Sequence, residues 1–246
     1  MKRTIIGIIG RAGINDNRPV MFIDENFRRL VYNNGAIPLL ILPSQDIEYK
    51  LTESKDMKLL TIEEKQELMD LVDMCDGIII PGGNRQYEYD KFIYKYALSK
   101  NIPIMGICLG MQIMCNVDNE QIVSNDKPIR NDSYIEHNQP DNLYAHKIKI
   151  NKNSKLFDII NEEEILVNSF HNYHIEKVNS LIVTARSSDN YIEAVEMPNK
   201  RFVVGLQWHP EKKLEENELN QKIIREFIRT AKEVSNARSI KENIWL

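Results

Sequence analysis

A chain of 246 residues is long enough for one α/β domain with a sizeable core. Its composition, 42% hydrophobic and 28% charged, is ordinary for a globular protein, and no stretch approaches the roughly 18 apolar residues of a membrane span. The net charge of -4 argues against a nucleic-acid footprint, which would want a basic patch.

The first apolar run, Thr4 to Ile9, is rich in isoleucine, bounded by glycine and predicts a buried strand. It is too short for a secretory core, and Arg11 interrupts it. Phe22 to Asn33 sets Phe27, Leu30 and Val31 at helical spacing, with Asn34-Gly35 as a stop. Ile37 to Leu42 predicts a second strand, and the polar stretch Pro43 to Thr61 a surface excursion. Thr61 to Met74 predicts a helix opened by a capping box, Thr61 with Glu64. A strand at Gly77 to Ile80, a helix at Tyr89 to Ser99, a strand at Pro103 to Ile107 and a helix from Leu109 follow. Asn116 to Leu143 is polar and predicts loops. Beyond it, Ala145 to Ile150, Leu181 to Ala185, Tyr191 to Met197 and Val203 to Trp208 read as strands that extend the sheet in mixed fashion. Leu219 to Val234 predicts a charged final helix. Continuous apolar strands alternating with helices imply a central, mostly parallel sheet covered on both faces.

The three cysteines, Cys75, Cys108 and Cys115, lack metal-ligand spacing and cannot all pair, which fits a reducing, cytoplasmic setting. Cys108 stands apart, because Gly106, Cys108 and Gly110 spell G-x-C-x-G between a buried strand and an apolar helix. This is the nucleophile-elbow pattern with cysteine for serine. It holds the sulfur at the carboxyl end of the sheet and at a helix N-terminus, whose dipole favours the thiolate that attacks. Cys75 and Cys115 read as core residues.

A thiolate needs a base. His209 is delivered by the apolar strand Val203 to Trp208, stopped by Pro210, and Glu211 can accept the imidazole's other proton. His171 and His174 are three apart, but no further ligand at diagnostic spacing joins them, so no metal is expected and His171 reads as a pocket residue. His137 and His146 receive no assignment. Gly7, Gly10 and Gly13 follow a strand, yet their spacing is not the dinucleotide fingerprint, and Asp16-Asn17-Arg18-Pro19 stands where a helix should open. The loop can instead border the substrate pocket.

These landmarks resemble the class I glutamine amidotransferase superfamily, and within it the γ-glutamyl-γ-aminobutyrate hydrolase group of the peptidase C26 type. The residues that carry the resemblance are Asn34-Gly35-Ala36-Ile37-Pro38, Pro81-Gly82-Gly83 and Gly106 to Gln112, then Val167-Asn168-Ser169-Phe170-His171, Ile192-Glu193-Ala194-Val195-Glu196 and Gln207-Trp208-His209-Pro210-Glu211. The resemblance implies one flavodoxin-like domain over residues 1–246 and a catalytic triad of Cys108, His209 and Glu211. It implies an oxyanion hole from the amides of Gly83 and Leu109, with Gly82, Gln112, Ser169, Phe170 and His171 at the substrate. It also implies hydrolysis of a small γ-glutamyl compound through a thioester, with no metal or cofactor. The chain departs from relatives at Leu109, at Asn84-Arg85-Gln86-Tyr87 and at Asn116 to Ile122, where recognition of the leaving amine could be set. The alternative is a glutaminase subunit feeding ammonia to a separate synthase, since no synthase domain is expected after the last helix. A homodimer stays open. No nucleic-acid or membrane partner is expected.

Overall fold

A computed structural model describes residues 3–47, 49, 58–118, 129–130 and 132–244. The expected excursion at 43–61 and the polar stretch at 116–143 lie partly outside the described residues. In chain order the first half comprises β1 (Ile5–Ile9), β2 (Arg11–Asn15), β3 (Arg18–Phe22), α1 (Glu25–Asn33) and β4 (Ile37–Ile41), then α2 (Ile62–Asp73), β5 (Gly77–Ile80), α3 (Glu88–Ser99), β6 (Ile104–Ile107) and α4 (Leu109–Asp118). The second half comprises β7 (Ile129–Arg130), β8 (Asn138–Gln139), β9 (His146–Ile150), α5 (Lys155–Ile160), β10 (Glu164–Val167), β11 (Ser169–Phe170) and β12 (Tyr173–His174). It closes with β13 (Ile182–Ser187), β14 (Ile192–Glu196), β15 (Val203–Leu206), a 3-10 turn (Leu214–Glu216) and α6 (Glu218–Ile244).

The main sheet runs β10-β9-β13-β14-β15-β6-β5-β1-β4. It is parallel from β15 to β4 and antiparallel from β15 outward to β10. This is the expected α/β architecture. Alternation along each strand splits the core into two layers. Ile79 joins α1, α5 and α6 on one face, while Ile78 and Ile80 join α2, α3 and α4 on the other. The Thr61 capping box forms as expected, with Thr61 Oγ1 accepting from Glu64 N at 3.1 Å and Glu64 Oε2 accepting from Thr61 N at 2.7 Å.

Three differences from the sequence reading matter. The glycine-bearing segment after β1 is not a loop: β2 and β3 pair as a hairpin whose turn residues Asp16 and Asn17 take φ of 47° and 60°. Two successive left-handed residues are what a tight two-residue hairpin requires, and Asp and Asn tolerate them. The second difference is α5, a six-residue helix capped by Ser154, with β10 after it; both are short enough to escape periodicity. Finally, α6 runs ten residues past its expected end at Val234. There Arg238 donates to the carbonyl of Cys75 at 2.8 Å, docking the extension beside the start of β5.

Candidate active site

The elbow at Cys108 follows from close packing. A Cβ on Gly110 would stand 2.0 Å from the Ile80 carbonyl oxygen, and one on Gly106 would stand 2.4 Å from Met114 Sδ and 2.8 Å from the Gly110 carbonyl carbon. Only glycine lets α4 start this close to β5 and β6. Cys108 itself is held at φ 52°, a strained conformation for a side-chain-bearing residue. Its amide donates to Leu206 O at 2.7 Å, tying the end of β6 to the end of β15.

That pairing explains how residues a hundred positions apart meet. Ile107 lies opposite Leu206 in parallel register, so Cys108 and His209 leave adjacent strand ends. Trp208 is wholly buried and donates to Asn220 on α6 at 3.1 Å, anchoring the segment. Asn168 clamps the backbone of His209 from both sides: its Nδ2 donates to His209 O and its Oδ1 accepts from His209 N, each at 2.8 Å. His209 Nδ1 meets Glu211 Oε1 at 2.7 Å. A Cβ on Gly82 would stand 2.9 Å from His209 Cε1 and 3.5 Å from Cys108 Cβ, so thiol and imidazole residues close on the same point of the Pro81-Gly82-Gly83 turn.

Burial alone would lower the His209 pKa. The charges of Glu211 and Cys108, with the hydrogen bond to Glu211, outweigh burial and raise it to about 10. Among the described residues His209 Nε2 makes no hydrogen bond of standard geometry, whereas Nδ1 is bound to Glu211. Cys108, His209 and Glu211 are all buried, while Phe170 is exposed at the rim. The Phe170 carbonyl stands 3.8 Å from Cys108 Sγ, and Lys212 Nζ lies 4.3 Å above the Phe170 ring.

The Gly83 and Leu109 residues are neighbours: a Cβ on Gly83 would stand 3.3 Å from Leu109 Cδ2. Leu109 opens α4, so its amide has no acceptor within the helix. The turn that carries Gly82 and Gly83 is held by Arg11, which sequence reasoning missed. Arg11 is buried, donating to Pro81 O at 2.6 Å, to Gly82 O at 3.2 Å and to the wholly buried Asp90 at 2.6 Å. Asn168 likewise enters the sequence reading only as one letter of a motif. Its signal is a buried amide flanking the strand that carries Ser169.

The remaining expected residues are placed differently from one another. Gln112 Nε2 donates to Tyr173 O at 3.0 Å and to Gln207 Oε1 at 3.1 Å, so its amide hydrogens are committed to protein groups. Ser169 Oγ donates to His137 O at 2.8 Å. His171 is buried, with Nδ1 on Tyr173 O at 3.0 Å and Nε2 3.7 Å from Glu193, so both ring nitrogens engage groups other than Cys108. His174 stacks on Tyr191 at 3.8 Å. Burial, then the neighbouring Asp76 charge, pushes the Cys75 thiol up to about 12, and Cys115 is wholly buried. Both read as inert core. A cleft of about 450 Å³ between α1 and the turn after Glu211 is lined by Asn168 and Glu211 but not by Cys108 or His209. Among the described residues, no helix is long and apolar enough to cross a membrane.

A glutamine amidotransferase-like protein of Rickettsia prowazekii is 27% identical, over 87% of this chain and 90% of its own length. The CTP synthase of Borreliella afzelii is 32% identical over 58% of this chain, and the match spans only 33% of that enzyme. Two solved structures share the fold. A GMP synthase subunit from Thermoplasma acidophilum has a TM-score of 0.65 at 16% identity, covering 98% of this chain and 99% of its own. The glutaminase domain of Trypanosoma brucei CTPS, with bound acivicin, has a TM-score of 0.60 at 18% identity, covering 94% of each chain. The peptidase C26 family profile matches residues 85–211, a segment that holds Cys108, His209 and Glu211. Since that segment is just over half of the chain, the protein belongs to the peptidase C26 family, within the class I glutamine amidotransferase superfamily.

Proposed function

We propose that residues 1–246 form one cysteine hydrolase domain that cleaves the γ-glutamyl amide bond of a small molecule. The observation that carries this reading is the meeting of Cys108, on its left-handed elbow, with the His209–Glu211 pair at the same glycine turn. In this reading the Cys108 thiolate attacks the side-chain carbonyl, and the amides of Gly83 and Leu109 receive the developing oxyanion. Protonated His209 gives its proton to the leaving amine, and Glu211 stabilises the imidazolium until it does. His209 then takes a proton from water, which hydrolyses the γ-glutamyl thioester and releases glutamate. Every bond is made and broken by groups of this chain and water.

The three buried cysteines, none in a disulfide among the described residues, support a reducing, cytoplasmic setting. The leaving amine sets the substrate, and this reading assigns its recognition to Phe170, whose carbonyl stands 3.8 Å from Cys108 Sγ, and to Lys212 above the Phe170 ring. The test is glutamate release from glutamine and from a panel of N-substituted γ-glutamyl amides. Wild type turns over substituted amides and Cys108→Ala, though folded, does not. Equal turnover by both proteins would refute the assignment.

A second reading has support from the CTP synthases, of which this chain spans about a third of the length. It is a glutaminase subunit that delivers ammonia to a separate synthase. Weak hydrolysis of substituted amides, with glutamine turnover that rises on adding a synthase partner, would favour it over the free-standing hydrolase.

A further inference from the structure

Behind the wall facing Cys108 lies a buried constellation that hydrolysis does not use. His137 precedes β8, His146 opens β9, His171 follows β11 and Glu193 lies in β14. All four are buried, Glu193 completely. One donor atom from each lies within 4.8 Å of the others. Glu193 Oε1 stands 3.6 Å from His137 Nδ1, 3.5 Å from His146 Nε2 and 3.7 Å from His171 Nε2. We propose that His137, His146, His171 and Glu193 form a structural binding site for a divalent transition metal of the zinc type.

The hydrogen bonds on the far side of each ring carry the argument. His171 Nδ1 faces the Tyr173 carbonyl at 3.0 Å and His146 Nδ1 faces the Lys147 carbonyl at 3.3 Å. A carbonyl can only accept, so both Nδ1 atoms hold the hydrogen. His137 Nε2 meets Asp189 Oδ2 at 2.8 Å. The Asp189 carboxylate, whose Oδ1 accepts from Ser187 Oγ, accepts here as well. In the tautomers that these bonds select, the nitrogens without the hydrogen, His137 Nδ1, His146 Nε2 and His171 Nε2, face Glu193 with their lone pairs. Ser169 Oγ, 3.4 Å from His137 Nδ1, gives its hydrogen to the His137 carbonyl.

The carboxylate is thus surrounded by acceptors. Among the described residues neither Glu193 oxygen accepts a hydrogen bond, and His146 Nε2 makes none. Burying such a carboxylate is costly. A cation at the centre satisfies all four groups together. Bonds of about 2.0–2.2 Å in a tetrahedron set donor atoms about 3.4 Å apart, close to the three contacts to Oε1. Imidazole with one carboxylate suits zinc and its neighbours, whereas calcium and magnesium take oxygen ligands. The outward bonds to Asp189, Tyr173 and Lys147 are the partners that orient metal-bound imidazoles. Four protein ligands leave no open position, which makes the site structural. Its place gives it a purpose. Ser169 Oγ and His171 N both donate to His137 O, at 2.8 and 2.9 Å, so the ion would fix the strand whose Phe170 carbonyl faces Cys108.

The test uses the full chain, purified without metal-affinity resin and stripped with chelator. Zinc and cobalt(II) are titrated in, reading bound metal after gel filtration, cobalt visible absorption and thermal unfolding. The expected result is one ion per chain, the intense visible bands of tetrahedral cobalt and a raised Tm. Asp189→Asn lowers the affinity about 10–100-fold. Glu193→Gln and His146→Gln abolish the cobalt bands, and His174→Ala, outside the cluster, keeps them. Wild-type protein that takes up no stoichiometric zinc or cobalt overturns the proposal whatever the variants do. So does full tetrahedral cobalt binding by Glu193→Gln. Stability that depends on pH but not on metal would overturn it too, since protons would then hold the cluster.

Discussion

Arg11 is the most informative residue to remove. Its guanidinium neutralises Asp90, which is wholly buried, and holds the carbonyls of Pro81 and Gly82. Arg11→Met keeps the aliphatic bulk but leaves a buried carboxylate whose only other hydrogen bond among the described residues comes from Tyr87 N at 2.8 Å. Removing one partner of a buried ion pair costs about 3–5 kcal/mol. At a urea m-value of about 2–3 kcal/mol/M, the unfolding midpoint should fall by about 1–2.5 M. Burial already raises the Asp90 pKa against the pull of Arg11, and without Arg11 it rises further. Protonation then relieves the unpaired charge, so the loss is largest near neutral pH and shrinks as pH falls. Adding Asp90→Asn should restore most of the stability, because a neutral amide can still cap Tyr87 N. It should not restore turnover, since the Pro81-Gly82 carbonyls remain without Arg11 and the adjacent Gly83 amide loses its bearing. One oxyanion donor is worth about 10²–10³ in rate, so the double variant should lose up to about 10² in kcat. Urea titration and glutamate release measure both. A single variant within 1 kcal/mol of wild type, or a double variant as unstable as the single, would refute the reasoning.

Gly82→Ala puts a methyl 2.9 Å from His209 Cε1, and the imidazole must shift. A displacement of this size costs about 10²-fold in kcat with a nearly unchanged Tm; wild-type turnover would show that Gly82 does not set the ring. Glu211→Gln removes the charge that raises the His209 pKa to about 10. Because the leaving-group acid exists only below that pKa, the alkaline limb of kcat should lie near pH 10 in wild type and move down in the variant; coincident limbs would exclude the pairing. The same shift contributes stability that is complete below pH about 6.5 and lost as pH rises through about 10, which thermal unfolding against pH reads. Asn168→Ala leaves the His209 amide and carbonyl unpaired in the interior, costing about 1–3 kcal/mol for each unsatisfied group, and should lower kcat more than it raises KM.

The amino-acid sequence by itself determined the parallel half of the sheet and the chemistry at its edge. Buried strands such as Gly77–Ile80 and Ile104–Ile107 declare themselves through unbroken apolar runs, and G-x-C-x-G announces a corner that only glycine allows. The His209–Glu211 pairing was legible because two residues this close in one segment can stay within hydrogen-bond reach wherever the segment goes. Tertiary structure alone decided the rest. Arg11 looked like an interruption of an apolar run until the hairpin carried it 71 residues along the chain to Gly82. The cluster of His137, His146, His171 and Glu193 draws on four separate segments, so no spacing could reveal it, and the local His171–His174 pair pointed elsewhere. The physical reason is common to both cases. Periodicity and turn chemistry act between neighbours in sequence, whereas a buried charge selects its partner by proximity after the chain has closed.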